Sequence, residues 1–205
     1  MPCRIPIPED AELRLLTEAD AKELHELIEA NRAHLAAWLP WAAEQDYADT
    51  LGFIRETRAQ LQANDGFQVA VCVHERIAGV IGFTAVDWTE RSTNIGYWLA
   101  AERQGRGTMS AAAAALTDHA LSVWELRRVT IKVATENTRS RAIPERLGYR
   151  EEATLPKAQQ VGGRDLDLVV YSIRGEEPQK MIGGAGAPPR EQAEGSQDRD
   201  SQTIR

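Results

Sequence analysis

Residues 93–124 pass from a β-branched and aromatic run, TNIGYWLA, through AERQGRGT into a long alanine-rich helical pattern, MSAAAAALTDHALSVW. A helix that opens straight from a strand leaves backbone N–H groups unpaired in its first turn and carries a partial positive charge there. Gly105 and Gly107 remove the side chains that would cover those donors, and Arg103 and Arg106 add charge suited to a pyrophosphate. The same glycines would also serve a plain tight turn. The junction therefore requires a strand feeding a helix and nominates an anion site where the helix begins.

The flanking patterns set the sheet type. ELRLL reads as a short strand, and Thr17 with Asp20 resembles a capping box opening a helix whose apolar face carries Leu24, Leu27 and Ile28. Leu51, Ile54 and Leu61 mark a second helix at about 47–63. FQVAVCVH and IAGVIGFTAVD form a hairpin pattern, with TNIGYWLA as the next strand. After the alanine-rich helix, at about 108–124, come a strand RVTIKVA, a short helix stopping at Gly148, and two strands near 149–155 and 166–173. Antiparallel strands ahead of any strand-helix-strand unit predict an α+β fold with a mixed sheet, not a doubly wound parallel one. That order also excludes a Rossmann reading of the glycines, whose third small position holds Ser110. A Walker A loop fails because no Gly-Lys-Ser/Thr follows.

At 205 residues and 42% hydrophobic content the chain can bury one real core. The folded unit is expected at 12–175, after an extended lead-in at 1–11 with three prolines. From 176 to 205 the composition is rich in Gly, Pro, Gln and charge, which predicts a disordered tail. A net charge of −7 and a pI near 5.2 argue against nucleic acid or an anionic membrane as the partner. Cys3 and Cys72, with no metal-ligand spacing, imply a reducing compartment and no metal site. With no apolar leader and no membrane-length run, a cytoplasmic protein is expected. The four histidines are scattered and read as surface or structural residues.

Gln104-Gly105-Arg106-Gly107-Thr108-Met109 resembles the Q/R-x-x-G-x-G/A loop of the GNAT acyltransferases, with Met109 where that family carries Gly or Ala. NIGYWL before the loop, RRVTIKVATENTRSRAIPERLGYREEATL after the helix, NRAHLAAWLPW and DLVVYSI extend the resemblance to the RimJ/RimL branch over roughly residues 11–175. The resemblance implies the GNAT fold, a mostly antiparallel sheet with a splayed central strand pair, and acetyl-CoA as cosubstrate. It implies that Leu99 and Ala101 contact the pantetheine arm and that Arg103, Gln104, Gly105, Arg106, Gly107 and Thr108 hold the phosphates. It further implies that Asn137 contacts the pantetheine and Ser140 protonates the departing thiolate. Asn and Ser ahead of a helix are also ordinary caps. Pro144 cannot donate to the Ser140 carbonyl, which leaves that turn's groups available.

Many GNAT enzymes place a basic Glu where this chain has Asn94, and some RimL-like proteins place one where it has Gln159; neither amide takes a proton. Asp87, Glu90, Glu136 and Asp167 remain as carboxylates near the expected cleft, each also readable as a turn or surface charge. An α-amine, with a pKa of about 7.7–8.0 against about 10.4 for lysine, needs far less help. The expected acceptor is therefore a protein or peptide N-terminus, such as that of a ribosomal protein, as for RimJ/RimL-like proteins. Trp41 and Asn94 are candidates to meet it, although Trp38 and Trp41 could equally anchor a core. The alternatives are a small-amine or aminoacyl-nucleotide acetyltransferase and a catalytically inert CoA-binding module. A homodimer is left open.

Overall fold

The computed structural model describes residues 4–8 and 10–175. The segment expected as a tail, 176–205, lies outside the described residues. Strands β1 (Arg4–Ile7), β2 (Ala11–Leu15), β3 (Gln68–Val73), β4 (Arg76–Asp87), β5 (Ser92–Leu99), β6 (Arg128–Ala134), β7 (Arg150–Val161) and β8 (Arg164–Arg174) form one sheet. Its order is β1-β2-β3-β4-β5-β6-β8-β7. Among the described residues only β5 and β6 run parallel, through a crossover that carries α3; all other neighbours are antiparallel, including β2 and β3, which α1 and α2 connect. β1 lies within the segment expected as a lead-in and pairs with β2.

Helices α1 (Ala21–Leu35) and α2 (Tyr47–Gln62) cover one face. Their Leu24, Ile28, Leu35 and Ile54 pack with Ala70, Cys72, Ile77 and Val80 of β3 and β4, and Trp98 joins that cluster. On the other face, α3 (Thr108–Asp118) buries Met109, Ala112, Ala113 and Leu116 against Val69, Val71, Ile81, Ile95 and Ile131. Small alanines let α3 sit close to the sheet. α4 (Thr138–Arg146) lies beside α3 and contributes the partly buried Ile143 to the same core. Among the described residues no helix is long and apolar enough to cross a membrane.

Local chemistry explains the boundaries. Asp20 Oδ2 accepts from the Thr17 N–H (2.7 Å), but the box opens a 3₁₀ turn, Glu18–Asp20, ahead of α1. Asp46 and Asp49 cap α2 reciprocally. The alanine-rich helix expected to 124 loosens into a π turn, His119–Val123, where His119 and Trp124 pack against Phe67 and Phe83. The last hairpin is longer than its sequence pattern suggests. β7 is an exposed edge strand with two register shifts, so it shows no alternating pattern, and Gly162-Gly163 make its turn.

Candidate active site

β5 and β6 pair only from Ser92 opposite Arg128 to Ile95 opposite Ile131. β6 stays paired with β8 as far as Ala134, and β5 stays paired with β4 as far as Leu99. Each strand is held by its outer neighbour, so the two diverge and a gap opens beside Gly96–Leu99. The Ala100 N–H turns to β4, donating to the Ala78 carbonyl (2.8 Å), while the Thr93 carbonyl turns to β6 and accepts from Thr130 Oγ1 (3.1 Å). Strand alternation between those anchors aims the backbone groups of Tyr97 and Leu99 into the gap. Gln104 Nε2 takes up the Leu99 carbonyl (3.2 Å), leaving the Leu99 N–H facing the opening.

Below the gap, the chain makes a 3₁₀ turn, Ala101–Arg103, and passes through Gly105 (φ 79°) and Gly107 (φ 85°) into α3. A β-carbon at either glycine would meet no atom within 4 Å, so that face of the loop is open. Positive φ suits glycine there. Gly107 supplies no side-chain cap, and the first intrahelical bond runs from the Ala111 N–H to the Gly107 carbonyl, 2.9 Å. The N–H groups of Thr108, Met109 and Ser110 are therefore the free donors of the helix start. Met109, where the family loop has a small residue, turns its side chain into the core, so it does not cover these donors. Arg106 is exposed beside them. This loop fits a diphosphate: open backbone donors, no obstructing side chain and adjacent positive charge.

Two residues grouped with the loop have other bonds. Gln104 is a clamp: its Nε2 lies 2.8 Å from His34 Nε2 as well as holding Leu99, and its Oε1 accepts from Arg139 (3.3 Å). The Ala101 N–H donates to Oδ1 of the buried Asn31 (2.9 Å) and its carbonyl accepts from the Gln104 N–H (3.3 Å), so both of its backbone groups already have a partner. Asn31 and His34 of α1 were missed in the sequence, since nothing local ties them to a loop far along the chain.

Across the gap, Asn137 caps α4, its Oδ1 accepting from the Ser140 N–H (3.1 Å). The capping role is present, and its Nδ2 is not consumed by it. Ser140 Oγ lies 3.3 Å from the Tyr97 hydroxyl, which itself donates to the Ser140 carbonyl at 3.0 Å. Tyr97 too was missed as a site residue, because strand alternation assigns it a face but no partner.

The opposite mouth of the gap is aromatic. Trp98 projects from β5 toward α1 and α2, and the exposed Trp41 stands 6.2 Å from it between ring centroids. Arg32 fixes the segment carrying Trp41 by donating to the Ala42, Ala43 and Gln45 carbonyls. Trp38 packs with Ala134 and Leu168 across the cleft, and Gln159 Nε2 holds its carbonyl at 2.9 Å. Asn94 is bound between Thr84 and Thr130.

Three of the candidate carboxylates are engaged. Asp87 Oδ1 accepts from the Thr89 and Glu90 N–H groups, Asp167 Oδ1 from the Lys157 N–H, and Glu136 lies 3.9 Å from Arg164. Among the described residues, the carboxylates with a displaced pKa are all displaced downward. Arg55 lowers Glu18, Ser172 and Arg128 lower Glu152, and for Asp20 the hydrogen bonds from Arg14 and Thr17 outweigh burial. Downward shifts weaken a base.

A family model described as an acetyltransferase (GNAT) domain matches residues 11–150. The chain is 36% identical over 169 residues to the putative ribosomal N-acetyltransferase YdaF of Bacillus subtilis (strain 168), covering 82% of this chain and 92% of that protein. Its fold superimposes with a TM-score of 0.80 on RimL, a ribosomal L7/L12 alpha-N-protein acetyltransferase in complex with coenzyme A, at 27% identity over 84% of this chain and 98% of that one. A TM-score of 0.79, again at 27% identity, relates it to the microcin C7 self immunity acetyltransferase MccE in complex with acetyl-CoA and AMP, covering 85% and 97% of the two chains. With a splayed strand pair above an open glycine loop, and matches of this extent, the chain belongs to the GNAT acetyltransferase family and uses acetyl-CoA as its acetyl donor.

Proposed function

We propose that the chain acetylates the α-amine of a protein N-terminus, with a ribosomal protein as the acceptor class, in the cytoplasm. The observation that carries this reading is the shape of the gap. One mouth adjoins the glycine loop, while the other is a surface-reaching aromatic wall of Trp41 and Trp98, open to the end of a chain. The relatives named for ribosomal proteins support the acceptor class.

In this reading Gly105, Gly107, Thr108 and the arginines Arg103 and Arg106 bind the phosphates, and the free side of Asn137 steadies the pantetheine. Acetyl-CoA supplies the activated acyl group. The Leu99 N–H, aimed into the gap, polarises the thioester carbonyl, and Ser140 Oγ passes its proton to the departing sulfur. Much of the acceleration comes from positioning, up to about 7–11 kcal/mol in favourable cases. The acceptor arrives already partly neutral. Near pH 7.5 roughly a third of α-amines lack the extra proton, against roughly one lysine in a thousand. The engaged carboxylates are compatible with that acceptor, since a water-relayed or solvent base suffices.

The test is thiol release from acetyl-CoA with free N-terminal peptides, N-blocked lysine peptides, small amines and aminoacyl nucleotides in parallel. Turnover with the free N-terminal peptides alone is expected. Preference for the small amines or nucleotides would replace the acceptor class, and coenzyme binding without release for any acceptor would leave an inert binding module.

A further inference from the structure

We propose that Tyr97 is a positioning residue for the acid, holding Ser140 by replacing the helix hydrogen bond that Pro144 deletes. This rests on the acetyl-transfer reading of Ser140. In a regular helix the Ser140 carbonyl would receive the N–H of residue 144, but proline has none. Leaving a carbonyl unpaired in a partly buried turn is destabilising. The Tyr97 hydroxyl fills the vacancy at 3.0 Å, reaching across the gap from the opposite strand.

The consequence for Ser140 is directional. With its own proton committed to the carbonyl, the Tyr97 oxygen can only accept from Ser140 Oγ, and it does so at a long 3.3 Å. One hydroxyl thus fixes both the backbone and the rotamer of Ser140, while the serine proton is held weakly enough to turn toward a leaving group. Tyr97 is itself well anchored. It sits two residues past the last β5–β6 pair, where β5 is still locked to β4, so its ring is carried by a rigid strand. Burial pushes its hydroxyl well above the ordinary tyrosine range, which keeps it protonated and able to donate to the Ser140 carbonyl.

Tyr97→Phe removes one oxygen and keeps the ring. With a peptide acceptor established for the unaltered chain, kcat is expected to fall about tenfold, short of the roughly 10²-fold or more that removing the acid itself would cost. The acetyl-CoA KM and the coenzyme dissociation constant should stay within about twofold. The double variant Tyr97→Phe/Ser140→Ala should be no slower than Ser140→Ala alone, because the two groups act as one unit. Adding Pro144→Ala to Tyr97→Phe restores an N–H for the Ser140 carbonyl and should recover part of the lost kcat. If that variant does not fold, the Tyr97 and Ser140 cycle still decides. An unchanged kcat for Tyr97→Phe, an additive loss in the double variant, or a loss confined to coenzyme affinity overturns the assignment of Tyr97 alone. Absence of transfer by the unaltered chain overturns the reading of Ser140 instead.

Discussion

The two helices that border the glycine loop and the gap are held to the same sheet by opposite means. α3 buries six of its eleven residues, Thr108, Met109, Ala112, Ala113, Leu116 and Thr117, and is fastened mainly by non-directional packing, with one buried hydroxyl pair between Thr117 and Tyr149 at 2.6 Å. α4 buries only Pro144, and its ties are directional. Asn137 caps it, Tyr97 and Tyr171 reach it from β5 and β8, and Arg146 bonds Ser110 at 2.7 Å. The Tyr171 hydroxyl accepts from Arg141 Nε (2.9 Å) and donates to Glu145 (2.7 Å). On the proposed reading, packing suffices for a helix that presents backbone donors at one end. A helix that aims a single hydroxyl, as proposed for Ser140, gains more from bonds that fix orientation.

Substitutions in α3 should therefore act on the whole fold. Leu116→Ala, at a fully buried site, is expected to lower unfolding free energy by about 2–5 kcal/mol, measured by urea denaturation. A loss below about 1 kcal/mol would break the contrast. At the mouth of the same helix, Gly107→Asp should weaken coenzyme binding by about 100-fold or more in calorimetry, through charge repulsion at the free donors. Gly107→Ala separates the causes: the positive φ should cost about 1 kcal/mol of stability with only a few-fold loss of affinity.

For α4 the effects should be smaller and local. Tyr171→Phe keeps the buried ring but removes two bonds, so a loss of about 1–2 kcal/mol is expected, with faster amide exchange concentrated in Thr138–Arg146. Uniform loss of protection across the sheet would mean that α4 is held by packing after all.

The smallest effect is one of pH, at the far end of α3. Burial beside Phe67, Phe83 and Trp124 lowers the His119 pKa below the ordinary value of 6.5. Between the folded and unfolded values the unfolded chain binds more protons, so this contribution is full above the unfolded value and is lost as the pH falls toward the folded one. Melting temperature followed from about pH 7.5 to 5 should decline, and His119→Phe should flatten that slope. An unchanged slope would remove His119 from the account.

The same contrast governs what could be read in advance. Packing leaves a periodic signature, so α3, the strands β2 to β6 and the glycine junction are legible as patterns of alanine, β-branched residues and glycine, whereas β1 was expected only as an extended lead-in. The polar ties leave almost none. Asn137 and Ser140 could be nominated only through a motif, and Gln104, grouped by that motif with the phosphate loop, proves to clamp His34 and the Leu99 carbonyl. The full length of β7 escaped because an exposed edge strand needs no alternation.

By itself the sequence determined most of the strands and helices, and where a helix begins with bare donors, because those depend on neighbours a few residues apart. Only the tertiary structure decided that β5 and β6 part after Ile95, that Trp41 meets Trp98, and that Tyr97 completes the turn Pro144 leaves open. Each of those joins groups tens of residues apart along the chain, and such a hydrogen bond or contact has no periodicity to announce it. It exists only once packing has brought the two ends within about 3–4 Å.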